Sequence, residues 1–80
     1  MLINAIPLSD LPLNTHAKIC CINGGKGFQH KLQVMGIQVG RTIKILSKQP
    51  FKGPLTIKVC GTHLTLGRGM AQKIMVEVIL

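Results

Sequence analysis

Glycine and proline interrupt this chain too often for long helices to form. After Pro7 and Pro12 they fall at Gly24-Gly25, Gly27, Gly36, Gly40, Pro50, Gly53-Pro54, Gly61, Gly67 and Gly69, and such residues mark turns because one supplies positive φ and the other fixes φ and lacks an N–H. What is left between them suits short strands and one or two brief helices. There is no linker, repeat or low-complexity tract, so the 80 residues are expected to form a single domain, 1–80. A domain of this size buries only about 60% of the surface its unfolded chain exposes. Its core has to be efficient, and with Phe28 and Phe51 the only aromatics in a chain that is 46% hydrophobic, it must be built from Ile, Leu, Val and Met.

The segments can be assigned in order. LSDLPLN offers Ser9 as an N-cap and one helical turn before Pro12, laying Leu8 and Leu11 across one end of the core. Lys18 to Ile22 is β-branched and apolar enough for a first strand, ended by Asn23-Gly24-Gly25. From Phe28 to Met35 the apolar positions Phe28, Leu32 and Met35 recur at helical spacing, and Gly36 is placed to stop that helix in the left-handed conformation. Arg41 to Leu46 reads as a second strand with Ile43 and Ile45 on one face.

Next comes a hairpin. With Gly61-Thr62 as a two-residue turn, Cys60 pairs with His63, Val59 with Leu64, Lys58 with Thr65 and Ile57 with Leu66, and every apolar pair falls on one face. A slip of one residue would destroy that agreement. After a short turn at Met70-Ala71, a last strand runs from Ile74 to Ile79. The expected fold is mainly β: about five short strands in a small, strongly bent sheet closing on itself as an SH3-like barrel, with one short helix after the first strand and a short helical turn before the last.

Ten Lys and Arg oppose only Asp10 and Glu77, a net charge of +8 that attracts acidic surfaces, phosphates or anionic lipid. The opening MLINAIPLSD lacks a positive n-region and its apolar stretch is broken by Asn4 and Pro7, so it does not read as a signal peptide. No apolar run approaches a membrane span. Three cysteines leave at least one thiol unpaired, and the expected setting is reducing and cytoplasmic.

Taken in sequence, LSDL, a first strand ending at Gly24-Gly25, KLQVMGIQVGRTIKIL, a loop from Pro50 to Pro54, PLTIKVCGTHLTL and MAQKIMVEV, the chain resembles the FeoA family over residues 8–78, most specifically in Leu32-x-x-Met35-Gly36-Ile37-x-x-Gly40. The resemblance implies an SH3-like cytoplasmic adaptor that supports FeoB, the membrane GTPase-linked permease of bacterial ferrous-iron uptake. The module also resembles the C-terminal domain of iron-dependent repressors of the DtxR type. With no winged-helix domain ahead of it in this sequence, a repressor is not expected.

Catalysis is not expected. The two acidic residues are far apart in sequence, and no third group accompanies any Cys–His pair. Metal binding has one candidate, because the proposed register sets Cys60 and His63 on one face with Cβ atoms roughly 5 Å apart. Two donors do not complete a site for a transition metal such as iron or zinc, and further donors would have to come from His16, Cys20, Cys21, His30 or a second copy. Cys20 and Cys21 point to opposite faces of their strand, one of them toward the core. Gly24-Gly25-Lys26-Gly27 superficially resembles a phosphate cradle at a helix start, but without the full motif it reads as a strand-to-helix turn.

Two surfaces are candidates for partner binding. Lys26, His30 and Lys31, with Arg41 shortly after the helix, offer a basic edge for an acidic patch. The loop Gln49–Pro54 offers Phe51, flanked by Lys52, as an apolar anchor unless it folds back to cap the barrel. Small basic barrels also bind nucleic acid, but two Phe and no Tyr or Trp leave little to stack bases on. A metal-sensing module and a homo-oligomer joined at an uncovered strand edge are the remaining alternatives.

Overall fold

The computed structural model describes residues 5–79, so the first four residues of the opening stretch and Leu80 lie outside it. The elements follow the punctuation: β1 (Ile6–Pro7), a 3-10 turn (Leu8–Asp10), β2 (His16–Ile22), α1 (Lys26–Val34), β3 (Thr42–Lys48), β4 (Leu55–Val59), β5 (Thr62–Leu66), α2 (Arg68–Gln72) and β6 (Ile74–Val78). The strands form one antiparallel sheet in the order β1-β6-β2-β3-β4-β5. This is the expected mainly β architecture, with one strand more than the five read from the sequence. The extra one is β1, which pairs Ile6 with Val76 and Pro7 with Met75 at the end of the sheet, where a residue lacking an N–H is tolerated.

Alternation builds the core. Ala17 and Ile19 of β2, Ile43 and Ile45 of β3, Leu55, Ile57 and Val59 of β4 and Ile74 and Val76 of β6 are all essentially inaccessible, and each buried Leu or Ile contributes about 1.5–3 kcal/mol relative to an exposed one. Leu8 and Leu11 are fully buried as expected. Ser9 is not the N-cap: β1 carries the extended backbone through Pro7, the turn starts at Leu8, and no side chain caps it. Ser9 instead lies inside the turn, where its carbonyl accepts a 3.1 Å bond from Lys48 Nζ.

Leu32 of α1 is buried, with Phe28 and Met35 packed partly against the core. The helix ends as Gly36 predicts. Gly36 has φ +93°, its N–H bonds to the Gln33 carbonyl at 3.0 Å, and the Ile37 N–H reaches the Leu32 carbonyl at 2.9 Å. That is a Schellman closure, and its apolar pair, Leu32 with Ile37, belongs to the core.

The hairpin register differs from the one proposed. The turn is Cys60-Gly61, with φ 51° and 76°, and the pairs are Val59 with Thr62, Lys58 with His63, Ile57 with Leu64 and Leu55 with Leu66. The favoured two-residue turn needs positive φ at both central positions with glycine at the second. Gly61 meets that demand there, whereas a Gly61-Thr62 turn would force a β-branched residue into the left-handed region. Because this register and the proposed one differ by two residues, side-chain alternation satisfies both.

Candidate functional site

The loop between β3 and β4 is held at its base and open at its tip. The Gln49 N–H bonds to the Pro54 carbonyl at 3.0 Å and the Gly53 N–H to the Pro50 carbonyl at 3.1 Å. Arg68, at the start of α2, adds a clamp, donating from Nε to the Gly53 carbonyl at 3.1 Å and from Nη2 to the Gln49 carbonyl at 3.3 Å. Gly53 fits because any Cβ there would meet Gln49 Cβ at 2.8 Å. Phe51 and Lys52 both sit at φ 58°, and the Phe51 side chain is fully exposed, at 101% of its reference area. Of the two alternatives for Phe51, the structure shows the displayed one.

Lys26, His30 and Lys31 are exposed along α1, with Lys26 and His30 four residues apart and therefore neighbours on the helix surface. Arg41 does not share their engagement. Its Nη1 donates to Cys60 Sγ at 2.7 Å, which commits it to the β4–β5 turn. At the helix start, a Cβ on Gly24 would lie 2.8 Å from Phe28 Cδ2, and Lys73 Nζ stands 5.0 Å from the centroid of the same ring. Close packing of Phe28 thus accounts for Gly24 as a turn residue. Gln29 completes the junction by bonding the Ile22 and Gly24 carbonyls at 3.1 and 3.0 Å.

The register removes the reason for pairing Cys60 with His63. Cys60 occupies the turn, and the residue opposite His63 is Lys58, whose ammonium would repel a cation held there. The two adjacent cysteines also differ from expectation. Pairing of β2 with β6 shifts between Ile19 and Cys21, leaving Cys20 as the extra residue of a bulge. Neither thiol reaches the core: Cys20 is half-buried and Cys21 exposed. Cys20 Sγ lies 3.8 Å from Glu77 Oε2. Desolvation first, then the charge and hydrogen bond of Glu77 and the charge of Cys21, push the Cys20 thiol above its ordinary range, partly offset by Lys18, which disfavours the thiolate that a metal would need. Among the described residues no group of three or more His, Cys, Asp and Glu is placed to hold a metal ion, and no helix is long and apolar enough to cross a membrane.

One arrangement escaped the sequence reading. His16 stands opposite Lys44, Lys44 opposite Lys58 and Lys58 opposite His63, a continuous row across four strands. The signal was the turn chemistry of Cys60-Gly61, since only the correct β4–β5 register brings His63 into line with Lys58.

Comparison with known proteins places these features in a group. The FeoA domain pattern matches residues 6–78. A protein of Methanocaldococcus jannaschii, named as an Fe(2+) transport protein A, is 41% identical over 56 residues, which is 70% of this chain and 66% of that protein, just under two thirds of its length. The crystal structure of an iron uptake regulatory protein, FeoA, superposes with a TM-score of 0.86 at 33% identity, covering 94% of this chain and 99% of the other. A manganese-dependent transcriptional repressor superposes with a TM-score of 0.89 over 99% of this chain and 44% of its own, at 18% identity, which is a likeness of fold alone.

Proposed function

Because the chain belongs to the FeoA family, we propose that it is a non-enzymatic accessory protein of bacterial ferrous-iron uptake, acting in the cytoplasm by docking onto a FeoB-type membrane GTPase permease. The observation that carries this reading is Phe51, a fully exposed aromatic side chain on a loop whose base is fixed by Arg68. An aromatic residue presented on a pre-ordered backbone loses little conformational entropy on binding, and such residues dominate interface energetics. The net charge of +8 and the exposed Lys26, His30 and Lys31 would speed encounter with an acidic partner surface more than they would hold it. No metal or other cofactor is required for this mode of action.

The test is calorimetric titration of the protein into the cytoplasmic GTPase domain and, separately, into the full-length permease, with and without ferrous or zinc ions. Saturable, metal-independent binding is expected. Phe51→Ala should weaken it by at least about thirtyfold, as for an interface hot spot worth about 2 kcal/mol or more, while Lys26→Glu with Lys31→Glu should chiefly slow association. Full affinity in Phe51→Ala would remove the loop as the docking element. No binding to either form of the permease would sink the adaptor reading, and binding that appears only with metal would return attention to the cysteines and histidines.

A further inference from the structure

The basic row on the outer face of the sheet is used neither by the core nor by the Phe51 loop. Its members are fixed outward by alternation, since the residues beside them, Ala17, Ile43 and Val59, are fully buried on the inner face. At a strand spacing of about 4.8 Å, a row across four strands is about 14 Å long. Its centre is Lys44 directly opposite Lys58, a like-charge pair that opposes sheet formation. Among the described residues no side-chain carboxylate stands opposite any of the four; Glu77 stands opposite Lys18 instead. Among the described residues the row therefore concentrates positive charge without an acidic side chain opposite it.

It is also concave. His16, Lys44 and Lys58, with Thr42 and the Cys60-Gly61 turn, line a cleft of about 210 Å3. Every polar side chain in that lining can donate a hydrogen bond. A lining in which every polar side chain can donate, two of them as ammonium groups, suits a group that is all acceptor and carries multiple negative charges, which describes a phosphate better than it describes a neutral or zwitterionic ligand. The four positions are successive cross-strand neighbours, so charges strung along a chain would meet them in succession. No Phe, Tyr or Trp lines the cleft, and a single-stranded nucleic acid would find only the His16 imidazole to stack on rather than the run of rings it ordinarily uses.

We propose that this cleft and the row His16, Lys44, Lys58 and His63 form a binding site for a linear phosphate chain, a diphosphate or triphosphate group, with Lys44 and Lys58 holding the central charges and the two imidazoles donating at the ends. The same chemistry is offered by free inorganic polyphosphate and by the phosphate tail of a nucleotide. The site lies apart from Phe51 and does not depend on permease docking, so loss of either activity leaves the other testable.

The test is a titration of the 15N-labelled protein followed by amide chemical shifts, at about 0.15 M salt so that diffuse attraction is screened. Inorganic tripolyphosphate, a nucleoside triphosphate and inorganic phosphate are added in separate arms, without metal. Saturable shifts at His16, Lys44, Lys58, Cys60 and His63 are expected with the first two. Equal affinity for them would identify the phosphate chain as the recognised unit, and tighter binding of the nucleotide would assign the natural ligand to that source.

The variant Lys44→Gln with Lys58→Gln should bind at least about tenfold more weakly. Lys26→Gln with Lys31→Gln removes the same charge from α1 and should change affinity less than about twofold. Equal weakening in both pairs would mean attraction by net charge and overturn the site, as would shifts scattered over the surface. A short oligonucleotide that binds the row more tightly than tripolyphosphate would overturn it in favour of nucleic acid. The wild-type shift map decides the question even if a lysine variant unfolds.

Discussion

The two connections that flank β4 hold their backbones in the same unusual region for different reasons. In the β4–β5 turn, Cys60 has φ 51° and Gly61 φ 76°, and a two-residue hairpin loop has little choice, because only that geometry matches the twist of the strands it joins. In the β3–β4 loop, Phe51 and Lys52 both have φ 58° at the centre of a turn closed by the Gly53 N–H to Pro50 carbonyl bond, two residues beyond the last ladder pair, Lys48 with Leu55. A left-handed non-glycine residue costs about 1–2 kcal/mol. At Cys60 connectivity explains that cost. At Phe51 and Lys52 the cost is offset by the two backbone bonds that close the loop, Gly53 to Pro50 and Gln49 to Pro54, together with the pair from Arg68, while what it produces is an aromatic side chain facing solvent.

The comparison is broken most directly at Arg68. Replacing it with alanine removes two charge-assisted bonds to backbone carbonyls, and we expect a loss of about 1–2 kcal/mol, seen as a fall in Tm of about 5–10 °C for a domain of this size. Hydrogen exchange should accelerate in residues 49–54 and not at the β4–β5 turn. An unchanged Tm with unchanged exchange would mean that the loop holds its own shape and that Arg68 only decorates it.

A matched pair of substitutions sharpens it further. Asparagine tolerates the left-handed region, so Phe51→Asn and Cys60→Asn should each stabilise the fold by up to about 1 kcal/mol in denaturant unfolding. Only Phe51→Asn should lose binding to the permease. A gain in stability that accompanies a loss of binding is the signature of strain kept for display. If Phe51→Asn instead destabilises, the ring contributes to the fold and the distinction between the two connections fails.

Much of this architecture was legible because the periodicities of helix and strand are strong in this chain. Ile43 with Ile45, Leu32 with Gly36, and Leu8 with Leu11 all occupy the positions their spacing implies. The misreadings have physical causes. Alternation has a period of two, so it rejects a one-residue slip and is blind to a two-residue slip; only the turn's demand for positive φ selects Cys60-Gly61 over Gly61-Thr62. The β1 strand is two residues long and contains Pro7, too short to show any period. The bulge at Cys20 offsets the face pattern of β2 against β6 without leaving a mark in the sequence. The site was legible only in part for the same reason: Phe51 was visible as an exposed candidate from its Gly and Pro neighbours, whereas the basic row depends on long-range register in three strand pairs.

The smallest expected effect concerns the β4–β5 turn itself. Arg41 Nη1 lies 2.7 Å from Cys60 Sγ, the counterpart at this connection of the Arg68 clamp at the other. The two differ in what they hold. Arg68 bonds two carbonyls of a loop that lies beyond the last β3–β4 ladder pair, Lys48 with Leu55, and has two backbone bonds across it, whereas Arg41 touches an exposed sulfur, a weak acceptor, on a turn that follows directly on the β4–β5 ladder pair Val59 with Thr62. Arg41→Ala should therefore change stability by less than about 0.5 kcal/mol, the range of ordinary surface substitutions, measured by urea unfolding alongside Arg68→Ala. A loss at Arg41 equal to that at Arg68 would show that Cys60 also needs an external clamp, and the left-handed backbone at the two connections would then share one explanation rather than two.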